Sequence, residues 1–271
     1  MTMAAPPLRV HTDRLVACVE VGGSGVQTVL FEPGRAEPRF LDGAHRPAGA
    51  ALRIAVPGVI GGGRVLGASN LGWYDVDPAE MLGLAGTAEL VLNDAEAAAL
   101  GEAALRSLGA GSMAYLCLGT GVGCAVVSDG QVIATELLGH GSVHSDRVCN
   151  CKRVGCLETV AAGWALPTGL VAADLDTIAR HLTDAIGREP RLASTSRLVV
   201  GGGIIGDHPS LRDRLQSALT ASPRAGRPWR VEPSAARRPA KSAAAFGLLA
   251  YGTSPLQLTA PSAGTTSEVI Q

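Results

Sequence analysis

Three cysteines, Cys149, Cys151 and Cys156, fall within eight residues, and two histidines, His140 and His144, precede them. Thiolate and imidazole are the ligands tetrahedral zinc prefers, and a C-x-C-x4-C spacing lets one tight turn supply three of the four. Three thiolates on a divalent cation leave a net negative site, which Lys152 and Arg153 inside the turn would offset. Free buried thiols, or a disulfide between two of the three, are the alternatives; ligand count and spacing favour zinc. Either histidine qualifies as the fourth ligand. A closed four-ligand site has no open position for a substrate, so the metal is expected to be structural and to hold a loop in shape.

The second group of residues able to do chemistry is glycine-rich. Gly22-Gly23-Ser24-Gly25 joins two short β-branched runs within Leu15 to Phe31, and Gly119-Thr120-Gly121-Val122-Gly123 joins two more within Met113 to Gln131. A third run, Gly201-Gly202-Gly203, ends the apolar stretch Leu198 to Val200. Glycine at a turn lets backbone N–H groups approach an anion closely, although an isolated G-G-S-G is more often a plain hairpin turn. Two copies of strand, glycine turn, strand, about a hundred residues apart, form an internal repeat of architecture. Facing each other, the two turns could hold a polyphosphate between two lobes. The only lysines are Lys152 and Lys241, so a G-x-x-x-x-G-K-[ST] phosphate loop is excluded and any nucleotide site uses another design.

Asp94 is the remaining candidate. It follows the brief strand Leu90-Val91-Leu92 and precedes an alanine-rich run, Ala95 to Leu108, whose spacing predicts a helix stopped by Gly109. A carboxylate there is either a helix N-cap or a reactive group at a helix start.

These residues are carried by a chain of 271 residues with 46% hydrophobic content and a net charge of −1, enough apolar mass for one large domain or two ordinary ones. That balance gives no case for a nucleic-acid or membrane partner. No run of eighteen apolar residues occurs, Met1 to Arg14 lacks a signal-peptide core, and Cys18, Cys117 and Cys124 read as reduced core residues, which together point to the cytoplasm. Pro33 to Gly49 reads as loop. Leu52 to Pro57 reads as a strand, Val59 to Leu66 as a hairpin, and Asp77-Pro78 as a helix start. Glu158 to Leu166, Asp174 to Gly187, Leu211 to Leu219 and Lys241 to Tyr251 read as helices, and the Ser/Thr/Pro/Gly-rich tail from Thr253 as disordered.

In this order the motifs resemble the ROK family of sugar kinases and sugar-sensing repressors, within the actin/hexokinase-like superfamily, from about Val16 to Tyr251. The most specific part is Gly139-His140 with Cys149-x-Cys151-x4-Cys156-Leu157-Glu158. Val21-Gly22-Gly23-Ser24, Val56-Pro57-Gly58, Asn70-Leu71, Asn93-Asp94-Ala95, Leu118 to Gly123 and Val200 to Gly203 support it. The resemblance implies a two-lobed α/β fold of the duplicated ribonuclease H-like type with a structural zinc knuckle. The N-terminal lobe would span 13–110, completed by a helix at 241–252, the C-terminal lobe 111–240, and the tail 253–271. It implies ATP-dependent phosphorylation of a hydroxyl on a hexose, amino sugar or related polyol, with Asp94 as general base. Gly22, Gly23, Ser24, Gly119, Thr120 and Gly121 would cradle the ATP phosphates, Gly201, Gly202 and Gly203 would lie beside the adenosine, and Glu20 would stand near the Mg2+ that accompanies the nucleotide. Asn70, Asn93, Glu136, His140 and Glu158 would bind the sugar. His140, rather than His144, would join Cys149, Cys151 and Cys156 on the zinc.

The chain departs from the family pattern in four residues or spacings. Glu20 stands where aspartate is usual, moving the carboxylate by about 1.5 Å. Glu96 replaces an asparagine. Leu137 occupies the place of the sugar-binding glutamate, with Glu136 one position earlier, so that a one-residue slip of the loop would be needed to bring it in. His140 to Cys149 is one residue shorter than usual. Two helical segments are cut, at Pro33 to Gly49 and at Ala165 to Arg197; they often supply the family's dimer contact, so a homodimer is left open. A sugar sensor that binds without transfer is the alternative reading. The residues before Leu15 cannot hold the helix-turn-helix of the repressor branch.

Overall fold

The computed structural model describes residues 12–23, 25–135, 138–222, 228–235 and 241–251. Ser24, Glu136 and the tail expected to be disordered lie outside the described residues. The first glycine turn closes an antiparallel hairpin of β1 (Val16–Gly22) and β2 (Gly25–Phe31), with Gly22 opposite Gly25. β3 (Arg39–Asp42) pairs antiparallel with β2. β4 (Ala51–Val56) then returns parallel to β1. A small hairpin, β5 (Val59–Gly61) and β6 (Arg64–Gly67), follows. So does a single turn of helix, α1 (Pro78–Met81), whose cap Asp77 accepts from the Ala79 and Glu80 N–H groups, as the Asp-Pro pair predicts. β7 (Leu90–Asn93) adds parallel to β4 and leads straight into α2 (Asp94–Leu105). The first sheet therefore runs β3-β2-β1-β4-β7.

The second half repeats the plan. β8 (Ser112–Leu118) and β9 (Val122–Ser128) form the hairpin around the second glycine turn, and β10 (Gln131–Ala134) extends it. After α3 (Glu158–Ala161) and α4 (Ala172–Arg188), β11 (Arg197–Gly201) lies parallel to β8. α5 (Gly203–Asp207), α6 (Ser210–Ala221), β12 (Arg230–Pro233) and α7 (Lys241–Ala250) complete the described chain. The order β10-β9-β8-β11-β12 matches the first sheet strand for strand, with the same antiparallel and parallel pairings. This is a mixed α/β fold built twice.

The edge strand β3 lies where the sequence predicts loop, and β10 and β12 lie where it predicts no strand. They are short and mostly exposed or half-buried, and their ladder partners rather than their own residues enforce extension. α3 is shorter than the expected Glu158 to Leu166 because Gly163 leaves the helix to donate its N–H to Gly119 O at 2.8 Å.

α2 and α7 are apolar nearly all round and sit in one core with side chains from both sheets, including Val16, Phe31, Met113 and Tyr115. They cross at glycines: a Cβ on Gly101 would overlap the Ala243 carbonyl, and one on Gly247 would overlap the Ala97 carbonyl. Gly101→Ala should therefore cost about 3 kcal/mol or more in denaturant unfolding. A loss below about 1 kcal/mol would show that the helices can part freely. α2 is also tied to the edge of the second sheet. The fully buried Glu102 carboxylate accepts from Arg106 Nε at 3.2 Å, from the Ala235 N–H and from Ser234 Oγ, while Arg106 Nη1 reaches Glu232 of β12 at 2.6 Å. The outer face of the second sheet is covered by the stripe Leu175, Ile178, Leu182 and Ile186 of α4 and by Leu211, Leu215 and Leu219 of α6. Among the described residues no helix is long and apolar enough to cross a membrane.

Candidate active site

The two hairpin turns meet. A Cβ on Gly23 would stand 2.6 Å from Thr120 Cγ2, so only glycine lets the first turn approach the second this closely. Around this junction lies a cavity of about 630 Å³. Its wall includes Glu20, Gly22 and Gly23 from the first hairpin, Gly119, Thr120 and Gly121 from the second, and Gly202 and Gly203 beyond β11. The same cavity is lined by Asn70, Asn93, Asp94, His140 and Glu158. Gly201 is not part of that wall; it packs under Tyr115, whose hydroxyl would overlap a Cβ there. Gly202 turns at φ +97° against the Leu118 carbonyl, a position closed to any side chain.

Asp94 is half-buried at the first position of α2. The capping role falls to its neighbour: Asn93 Oδ1 accepts from the Ala95 N–H at 2.9 Å and the Glu96 N–H at 3.2 Å, and Asn93 Nδ2 donates to Gly58 O at 3.0 Å. With the helix capped by Asn93, the Asp94 carboxylate is not needed as the cap, and it accepts locally from the Ala95 N–H at 2.9 Å. Burial pushes its pKa from 3.8 up to about 6, against the backbone donors at Ala95 and Asp94 that lower it, and the nearby Glu158 raises it further. A carboxylate poised near neutrality in a cleft can take a proton. Asn93, expected as a ligand, spends its oxygen and one N–H on the scaffold and keeps one N–H at the cavity wall. Burial also raises Glu96, on the same first turn but outside the cavity wall.

Glu158, 3% exposed, stands at the start of α3. Its Oε1 accepts from the Val122 N–H at 2.9 Å, and its Oε2 from Trp164 Nε1 at 3.3 Å. Both donors fix the carboxylate while leaving lone pairs for a ligand. Trp164, Cys117, Ser69 and Gly58 contribute to the site or its support without any sequence signal of their own, apart from the Val56-Pro57-Gly58 motif.

The sulfur cluster forms as the spacing predicts. One donor atom from each of His140, Cys149, Cys151 and Cys156 lies within 4.8 Å of the others. Cys151 and Cys156 sulfurs are 3.6 Å apart, and Cys149 Sγ is 3.7 Å from His140 Nδ1. Bonds of about 2.3 Å to sulfur and 2.0 Å to nitrogen give tetrahedral edges of roughly this length. The donor set and its spacing therefore fit zinc. His140 Nδ1 faces the sulfurs, which leaves Nε2 as the ring nitrogen available to the cavity.

Two sheets of one strand order, with glycine turns meeting beside a cavity, define a duplicated mixed α/β fold. A family model described as "ROK family" matches residues 38–172. An N-acetylmannosamine kinase of Salmonella typhimurium is 31% identical over 239 residues, 77% of each chain. The fold matches a ROK family glucokinase from Streptomyces griseus solved with glucose and AMPPNP, with a TM-score of 0.66 at 21% identity over 87% of this chain and 98% of that one. It also matches a ROK hexokinase from Thermus thermophilus, with a TM-score of 0.64 at 20% identity over 86% and 96%. The chain belongs to the ROK family.

Proposed function

We propose that this protein is an ATP-dependent kinase that phosphorylates a hydroxyl of a hexose, an amino sugar or a related polyol. The observation that carries the reading is a single cavity holding Asp94, the two meeting glycine turns and the polar side chains of Asn70, His140 and Glu158. The similarity to an N-acetylmannosamine kinase and, in fold, to a glucokinase with glucose and AMPPNP supports it.

In this reading the N–H groups around Gly22-Gly23 and Gly119-Thr120-Gly121 hold the phosphates, with Ser24 contributing from the same turn, and Gly202-Gly203 borders the adenosine. Glu20, on the cavity wall beside the first turn, is the oxygen donor for the Mg2+ that travels with ATP. Asn70, the free N–H of Asn93, His140 Nε2 and Glu158 hold the sugar hydroxyls, and Glu136 is the further candidate. Asp94 accepts the proton of the attacking hydroxyl as its oxygen bonds to the γ-phosphorus and the bond to the β-phosphate oxygen breaks, releasing ADP. His140, Cys149, Cys151 and Cys156 would hold a structural zinc, and with Nδ1 committed to it the His140 Nε2 would carry the N–H. The lobes are 13–110 with the helix at 241–252, and 111–240. The setting is cytoplasmic, and the partners are the small-molecule substrates.

The test is an ATP-consumption screen with Mg2+ over N-acetylmannosamine, glucose, other hexoses and cyclitols. Turnover of one acceptor at kcat/KM well above the rest is the expected result. Binding of a sugar by calorimetry with no ADP formed would favour the sensor reading, to which the longer Glu20 side chain gives some weight.

A further inference from the structure

A hydrogen bond reaches from the cysteine knuckle to Asn70 on the cavity wall. Asn150 Nδ2 donates to Asn70 Oδ1 at 3.0 Å. Asn150 is the residue between Cys149 and Cys151, whereas Asn70 lies in the turn after β6, in the half of the chain that builds the first sheet. Backbone bonds hold both ends in place: Cys149 N–H to Arg153 O and Lys152 N–H to Cys149 O at 2.8 Å on one side, Ala68 N–H to Trp73 O at 2.8 Å and Leu71 N–H to Ala68 O at 3.0 Å on the other.

The other end of the Asn70 amide lies over the second glycine turn. The point that a Gly121 Cβ would occupy is 2.9 Å from Asn70 Nδ2 and 2.6 Å from Glu158 Oε1. An N–H donor and a carboxylate acceptor therefore stand side by side at the cavity wall, an arrangement suited to a hydroxyl, which both accepts and donates. An amide can present either end, and a donor on its oxygen decides which one faces the carboxylate.

We infer that Asn150 is a positioning residue for the acceptor side of the cleft: by donating to Asn70 Oδ1 it keeps the Asn70 N–H beside Glu158 and fastens the knuckle to the 68–73 turn. The inference rests on the proposed sugar site for its functional consequence, but its structural part stands without it.

Three variants separate the roles. Asn150→Ala removes the side chain. Asn150→Asp keeps the shape but, ionised at neutral pH, can only accept, so it should turn the Asn70 amide round. Asn150→Gln keeps a donor. Hydrogen–deuterium exchange over 68–73 in the sugar-free protein should rise about fivefold for the Ala and Asp variants and less for Gln, with one zinc per chain retained in all three. Affinity for whichever of N-acetylmannosamine and glucose binds the parent should fall about fivefold for Ala and further for Asp, with ADP affinity unchanged. Unchanged exchange at 68–73 in the Ala and Asp variants, or sugar affinity equal to the parent in the Asp variant, would overturn the inference. Absence of sugar turnover in the parent, with the exchange difference intact, would instead count against the kinase reading alone.

Discussion

Asp94→Asn should lose phosphoryl transfer by about a thousandfold and at the same time become more stable than the parent at neutral pH. The two effects have one cause. Burial lifts the Asp94 carboxyl from 3.8 to about 6, so the folded protein binds this proton more tightly than the unfolded chain does. As the pH rises from about 4 to about 6, the unfolded chain releases the proton first, and the folded state loses stability over that window. Above about pH 6 the penalty is complete. For a half-buried group it amounts to about 2 kcal/mol once solvent screening is allowed for. Asparagine cannot ionise and keeps an oxygen for the Ala95 N–H, so the penalty disappears in the variant. Denaturant titrations should show the variant ahead at pH 7 and level with the parent at about pH 4. The parent's kcat/KM should fall about tenfold per pH unit below about 6, as the base protonates. A variant retaining a tenth of the parent's turnover would remove Asp94 from the role of base. A stability difference that does not change between pH 4 and 7 would remove the desolvated carboxylate as its cause.

The local parts of this site are legible in the sequence; their meeting is not. Gly22-Gly23 and Gly119-Thr120-Gly121 read as turns because glycine marks sharp backbone reversals, but that Gly23 abuts Thr120 depends on two sheets docking around α2 and α7. The cysteine knuckle reads cleanly because its ligands are close in sequence and zinc geometry is narrow. The division of labour between Asn93 and Asp94 is hidden, since either residue type caps a helix and only the backbone angle at Asn93 decides. Edge strands such as β3 and β12 escape a reading by residue type because their partners impose them. Trp164 and Asn150 carry no signal: each acts through a side-chain hydrogen bond that only the folded chain forms, Trp164 to the nearby Glu158 and Asn150 to Asn70, 80 residues away in sequence.

Cys151→Ser should remove the metal and, with it, the acceptor side of the site, while leaving the nucleotide side in place. Backbone bonds such as Cys149 N–H to Arg153 O at 2.8 Å and Gly155 N–H to Arg147 O at 3.0 Å shape the knuckle, but its rim is open to solvent. Val148 and Val154, which bridge its base, are each 61% exposed, and Lys152 and Gly155 adopt left-handed backbone at φ +70° and +76°. A non-glycine residue in that region costs about 1 kcal/mol or more unless its surroundings enforce it. Four bonds to a zinc held by His140, Cys149, Cys151 and Cys156 would supply that enforcement, since metal binding free energy of about 10 kcal/mol becomes folding free energy for the segment it closes. A hard hydroxyl in place of one thiolate breaks the set, and the loss spreads along the chain to His140 and to Glu158, whose N–H donates to Gly139 O at 3.0 Å. Gly23 and Thr120 touch each other rather than the knuckle. Metal analysis should find about one zinc in the parent and none in the variant. The melting temperature should drop by on the order of 10 °C. The acceptor KM should rise about tenfold or more, with KM for ATP within about threefold of the parent, because the histidine donor is lost from one wall only. Chelation of the parent should reproduce these shifts and added zinc should reverse them, whereas the variant should not respond. A variant that keeps its zinc, or that loses it with an unaltered acceptor KM, would separate the knuckle from the sugar and leave the metal with no part in recognition.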